Sequence, residues 1–149
     1  MRAVTWAVCA VLSVVVARAS AGQQGGPWRT ISESRFPTVV AYDTTRVRKV
    51  AHGRVDVVER YTLHPPRHDP DGIVGSIVMG VIVDCSAQET ALRSVARYSP
   101  SGKLLSPEQQ FGTGEDSFSE EGAGSLEASA LHGLCAALHL APPSAAGPR

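Results

Sequence analysis

The chain has 149 residues, of which 14 are basic and 14 acidic, and it is 43% hydrophobic but only 19% charged. The balanced charge argues against a nucleic-acid binder, which normally carries a basic excess. The apolar share is ample for a core, so wholesale disorder is excluded, and the length predicts a single domain.

Met1 and Arg2 precede an uncharged apolar run over residues 3–17, the length of a signal h-region. A membrane span needs about 20 apolar residues, and Arg18 interrupts this run too early. A cleaved signal over residues 1–21 is therefore predicted, with cut sites after Ala21 or, as second choice, Ala19. Cys9 lies inside the apolar run and not just after it, so no lipid anchor is expected. The product is expected to be exported, to the periplasm or to the medium or cell surface, with no membrane span after cleavage.

Residues 22–27 form a Gly- and Gln-rich flexible leader, and residues 28–31 a short first strand. Val39, Val40, Ala41 and Tyr42 have strand composition, and Asp43-Thr44 starts a turn. Residues 47–51 form a short apolar and basic strand, and His52-Gly53 occupies a hairpin position where Gly supplies the positive φ. Over residues 54–63, Val55, Val57, Tyr61 and Leu63 alternate with Arg54, Asp56, Arg60 and Thr62. This is a half-buried strand in which Val58 and Glu59 are the exceptions.

Residues 65–72 (PPRHDPDG) carry the turn signals of a loop. Residues 73–83 are the most apolar stretch after the signal and rich in Ile and Val, which predicts a central strand buried on both faces. Another strand is predicted over residues 90–98, then a turn, then a long exposed acidic connection over residues 110–124. Residues 125–140 form a helix: Leu126, Ala130, Leu134 and Leu138 recur every fourth position, with Leu131 and Cys135 beside them. Ser125 is placed as N-cap and Glu127 in the first turn, with Pro142 and Pro143 as the stop and a disordered tail over residues 141–149.

Without Cys9 the exported chain keeps Cys85 and Cys135, and two cysteines in an oxidising compartment predict one disulfide. It would staple the helix to the end of the central strand. The fold class expected is α+β: an antiparallel sheet of about five or six strands carrying one C-terminal helix tied on by that bridge, over residues 28–140.

Charge is uneven along the chain. No Lys or Arg falls between Lys103 and Arg149, whereas Arg46, Arg48, Lys49, Arg54 and Arg60 crowd the first half. That pattern marks either an interaction face or ordinary charge balancing within the fold. His64, His68, Asp69 and Asp71 share one loop and are of metal-ligating types, yet Pro65-Pro66 forbids the helical i, i+4 pairing of two histidines. An exposed turn-rich loop is the simpler account, and no metal or other cofactor is expected. His132 and His139 lie on one side of the helix, where surface histidines are common. Neither a G-x-S-x-G motif nor a phosphate-binding glycine loop occurs, so no enzyme is expected.

One resemblance extends this reading. A Trp near the start of the exported chain, Val40-Ala41-Tyr42-Asp43, a V-x-V-x-x-x-Y strand, a Pro-rich loop, Gly75-Ser76 leading to Val83-Asp84-Cys85, and a final helix with Leu134-Cys135 follow one another in order. This order resembles the surface-adhesin protein E family of exported bacterial proteins over residues 28–135. The resemblance implies the same small sheet with a disulfide-tied helix. It also implies a non-enzymatic protein whose partners are other proteins, including host matrix or plasma proteins, although the named adhesin is a lipoprotein and this chain is not expected to be one. A homodimer, a periplasmic accessory role with no host partner, and a small metal-binding protein using the 64–71 loop remain alternatives.

Overall fold

The computed structural model describes residues 27–32, 35–112 and 114–140. The expected signal segment, most of the leader and the tail lie outside them. One antiparallel sheet runs through the order β1 (Trp28–Thr30), β2 (Val39–Asp43), β4 (Val55–Asp69), β5 (Gly72–Asp84), β6 (Glu89–Tyr98) and β7 (Gln109–Gln110). The two-residue strands β3 (Arg48–Lys49) and β8 (Ser119–Glu120) pair with β4 and β6. Helix α1 (Leu126–Ala137) lies on one face. The sheet, its sense and the single α-helix among the described residues match the expected class, with β7 and β8 as additional short strands.

The core forms because alternate residues of the long strands meet the apolar stripe of α1. Val55 and Val57 of β4, Val81 and Val83 of β5, and Tyr42 of β2 pack with Leu131, Leu134 and Cys135. Val40 and Tyr61 continue the layer under Ala130. Because α1 covers only this face, Val78 and Ile82 on the other side of β5 are half-buried. The central strand is thus not sealed on both faces as its composition predicts.

The bridge joins Cys85, one residue past β5, to Cys135 of α1, with Cα atoms 5.8 Å apart. Closing a 50-residue separation removes chain entropy from the unfolded state worth about 4 kcal/mol.

Three local expectations change. The Pro-rich segment is not a loop: β4 continues to Asp69 against β5 and turns only at Pro70-Asp71. The ladder breaks between Thr62 and Arg67, where two prolines without N–H groups fall, and resumes beyond them. The strand expected over residues 47–51 shrinks to Arg48–Lys49, because the 3-10 turn Ala51–Gly53 follows, with His52 and Gly53 both at positive φ (61° and 72°). The acidic connection is largely exposed, as expected, but it also lays β7 and β8 along the edge of β6.

Helix α1 starts as expected, with Ser125 Oγ accepting from the Ala128 N–H at 3.0 Å. It stops at Ala137, well before the prolines. His139 adopts φ 53°, the His139 N–H donates to the Ala136 carbonyl, and the Leu140 N–H reaches back to the Cys135 carbonyl at 3.0 Å. That is a Schellman ending built on a histidine in place of the usual glycine.

Candidate functional site

Strand β4 sends residues 55, 57, 59 and 61 toward the helix. Three of them are apolar or aromatic; the fourth is Glu59, which is only 4% exposed. Its cross-strand partners are Tyr42 on β2 and Met79 on β5. A carboxyl at an inward position costs free energy unless it is neutral or paired. The hydrogen bond it receives comes from the Tyr61 hydroxyl, which donates to Oε2 at 3.2 Å.

Glu59 and Tyr61 border a cavity of about 320 Å³ between the sheet and α1. Met79, Val81, Leu92 and Leu131 give it an apolar lining, and Glu121 and Glu127 add carboxylates at its margin. Thr90 Oγ1 donates a hydrogen bond to Glu121. No basic side chain lines this space among the described residues. Burial pushes the Glu59 carboxyl up to about 7, the Glu121 charge adds to the rise, and the Tyr61 hydrogen bond opposes it. Burial likewise raises the Tyr61 phenol, reinforced by the facing Glu59, so it remains a hydrogen-bond donor at neutral pH. The cavity therefore combines an apolar body, a phenol donor and a carboxyl that exchanges its proton near neutrality. These properties suit contact with a group carrying a hydrogen-bond donor or a positive charge.

The wall formed by Ser117 and Ser119 belongs to the acidic connection, and Arg54 holds that connection in place. Its Nη1 and Nη2 grip both Glu115 oxygens at 2.7 and 2.8 Å, and its Nε donates to Asp84 Oδ2 at 3.1 Å. The guanidinium also lies 4.0 Å over the Phe118 ring. Asp84 accepts further bonds from the Ser86 N–H and hydroxyl and the Ala87 N–H. Burial opposes its ionisation, but these donors and Arg54 outweigh it and hold Asp84 down to about 2.

The residues singled out from sequence fare differently. Cys85 and Cys135 are brought together. His64 and His68 are exposed on the β4–β5 arm, and Asp71 sits at its turn. Asp69 is already occupied: Arg67 Nε donates to it at 2.8 Å, and Arg97 stands 3.7 Å away. Among the described residues no group of three His, Cys, Asp or Glu side chains stands ready to hold a metal ion. His132 and His139 are exposed. In the sequence Glu59 reads as an interruption of the alternation, but its odd-numbered position between Val57 and Tyr61 is the inward one.

No helix among the described residues is long and apolar enough to cross a membrane. No family model, curated protein or solved structure matches this chain.

Proposed function

We propose that the chain is an exported, non-enzymatic binding protein of the surface-adhesin protein E type, working through contacts with other proteins. The observation that carries this reading is the Cys85–Cys135 bridge, which ties the only helix described to the end of the central strand. Such a bridge persists in oxidising compartments and is rare in the cytosol. The apolar run and small residues of the N-terminal segment point the same way, as does the order of motifs from Trp28 to Cys135. The cavity under α1 supplies a concave, partly apolar surface able to receive a partner's side chain, with Glu59 and Tyr61 as its polar contacts.

The test is in-cell cross-linking combined with labelling of intact cells by a membrane-impermeant reagent. Labelling at the surface, or recovery in the medium, with a protein adduct supports partner capture outside the cell. Labelling only after the envelope is permeabilised restricts the partner to the periplasm. Recovery in the cytoplasm with both thiols free contradicts the proposal.

A further inference from the structure

The face of the sheet opposite α1 carries a second hollow, of about 340 Å³, at the β3–β4 hairpin. Its central group is Arg93, and three separate features set that side chain in place. The first is a bulge: Gly80 pairs with Ser94 and Val81 with Leu92, so Arg93 is the extra residue of β6. A bulge of this kind re-aims the side chain it carries. The second is Gly80 on β5, where a Cβ would stand 2.5 Å from Arg93 Nη2 and 2.9 Å from Cζ. Only a glycine lets the guanidinium lie against the strand there. The third is Asp56, buried on β4, whose Oδ1 accepts from Arg93 Nε at 3.2 Å.

Asp56 Oδ2 also accepts from Arg48 Nη2 at 2.7 Å, so one carboxylate holds two guanidinium groups side by side. Arg46, from the turn before β3, lines the same hollow and forms no ion pair among the described residues. Three guanidinium groups against one carboxylate leave two positive charges uncompensated. The terminal nitrogens of Arg93 have no carboxylate partner among the described residues, because Asp56 takes its Nε. A buried acid whose two oxygens are spent on orienting two arginines is a costly arrangement for a merely solvated surface. It holds two guanidinium forks together, one half-buried on Arg93 and one exposed on Arg48, in an arrangement suited to an oxyanion.

We propose that this hollow binds a dianionic oxyanion, a phosphate or sulfate group, through Arg93, Arg48 and Arg46. The site is separate from the cavity under α1 and stands or falls independently of the partner proposed above.

The experiment follows backbone amides of the folded, disulfide-bonded chain by two-dimensional NMR at about pH 8, where phosphate is dianionic. Inorganic phosphate, inorganic sulfate and phenyl phosphate are titrated at constant ionic strength, with acetate and chloride as controls. Saturable shifts confined to residues 45–48, 56 and 93–94, absent with acetate and chloride, support the site. Tighter binding of phenyl phosphate than of phosphate identifies an ester-bearing ligand, and the reverse order a free anion; either order supports an oxyanion site. Arg93→Gln is expected to weaken binding about tenfold. Arg46→Gln, which removes a guanidinium that forms no ion pair among the described residues, is expected to weaken it about threefold and guards against misfolding of the first variant. No saturable shift up to about 20 mM, equal shifts with acetate, or unchanged affinity in both variants overturns the proposal.

Discussion

Glu59 keeps its proton up to about pH 7 because the sheet and helix strip it of water and Glu121 faces it. The unfolded chain releases that proton near the ordinary value of 4.5. Between these two values the folded state binds more protons than the unfolded one, so stability falls as pH rises through this window. The loss amounts to about 3 kcal/mol once pH passes 7. Glu59→Gln is expected to flatten this dependence and to leave the variant more stable than the parent at pH 8, as urea unfolding at pH 5 and pH 8 would measure. Asp84 acts in the opposite direction: held down to about 2, its contribution is present above pH 4 and lost as pH falls toward 2. Arg54→Ala removes the clamp on Glu115 and Asp84, and the amides of Ser119 and Glu120 on β8 are expected to exchange faster with solvent. The parity of Glu59 was visible in the sequence, but its meaning was not. A charged residue inside an alternating run reads equally as an irregular strand, and only the helix lying across that face turns the position into a buried site.

Among the elements, the strands with alternating or β-branched composition and the capped helix were legible, because their signals are local. What escaped depends on pairing with distant residues. The prolines at 65 and 66 signal a loop, yet the ladder to β5 resumes beyond them at Arg67. The residues of β7 and β8 have no strand composition and become strands by lying along the edge of β6. The helix ends at Ala137, with its Schellman turn at His139, where leucines 138 and 140 fold back onto the core, a tertiary pull that overrides the later prolines. Gly133 is the clearest case of context reversing a local rule. Replacing a mid-helix glycine by alanine ordinarily gains about 1 kcal/mol. Here an added Cβ would stand 2.0 Å from the Ile31 carbonyl oxygen, where the chain beyond β1 crosses the helix. Gly133→Ala is therefore expected to destabilise the domain, by about 1–3 kcal/mol, which thermal or urea unfolding would read.

For the molecule as a whole, the uneven charge along the sequence becomes a difference between two faces. Glu59, Glu121 and Glu127 gather at the cavity under α1, while Arg46, Arg48 and Arg93 gather on the opposite face. Half of this was readable as clustering along the chain. The rest depended on Arg93, which lies far from the other two arginines in sequence and reaches them through the β6 bulge. One claim about compartment rests on the N-terminal segment, the position of Cys9 within its apolar run and the Cys85–Cys135 bridge, and a mass measurement tests all three together. The chain is purified from separated periplasm, outer membrane and medium, and its intact mass is taken with and without reductant. The account predicts the mass of residues 22–149 less two hydrogens, found in the periplasm or medium, gaining two hydrogens on reduction. A mass that retains the N-terminal segment, carries an acyl adduct or shows two free thiols before reduction would contradict it.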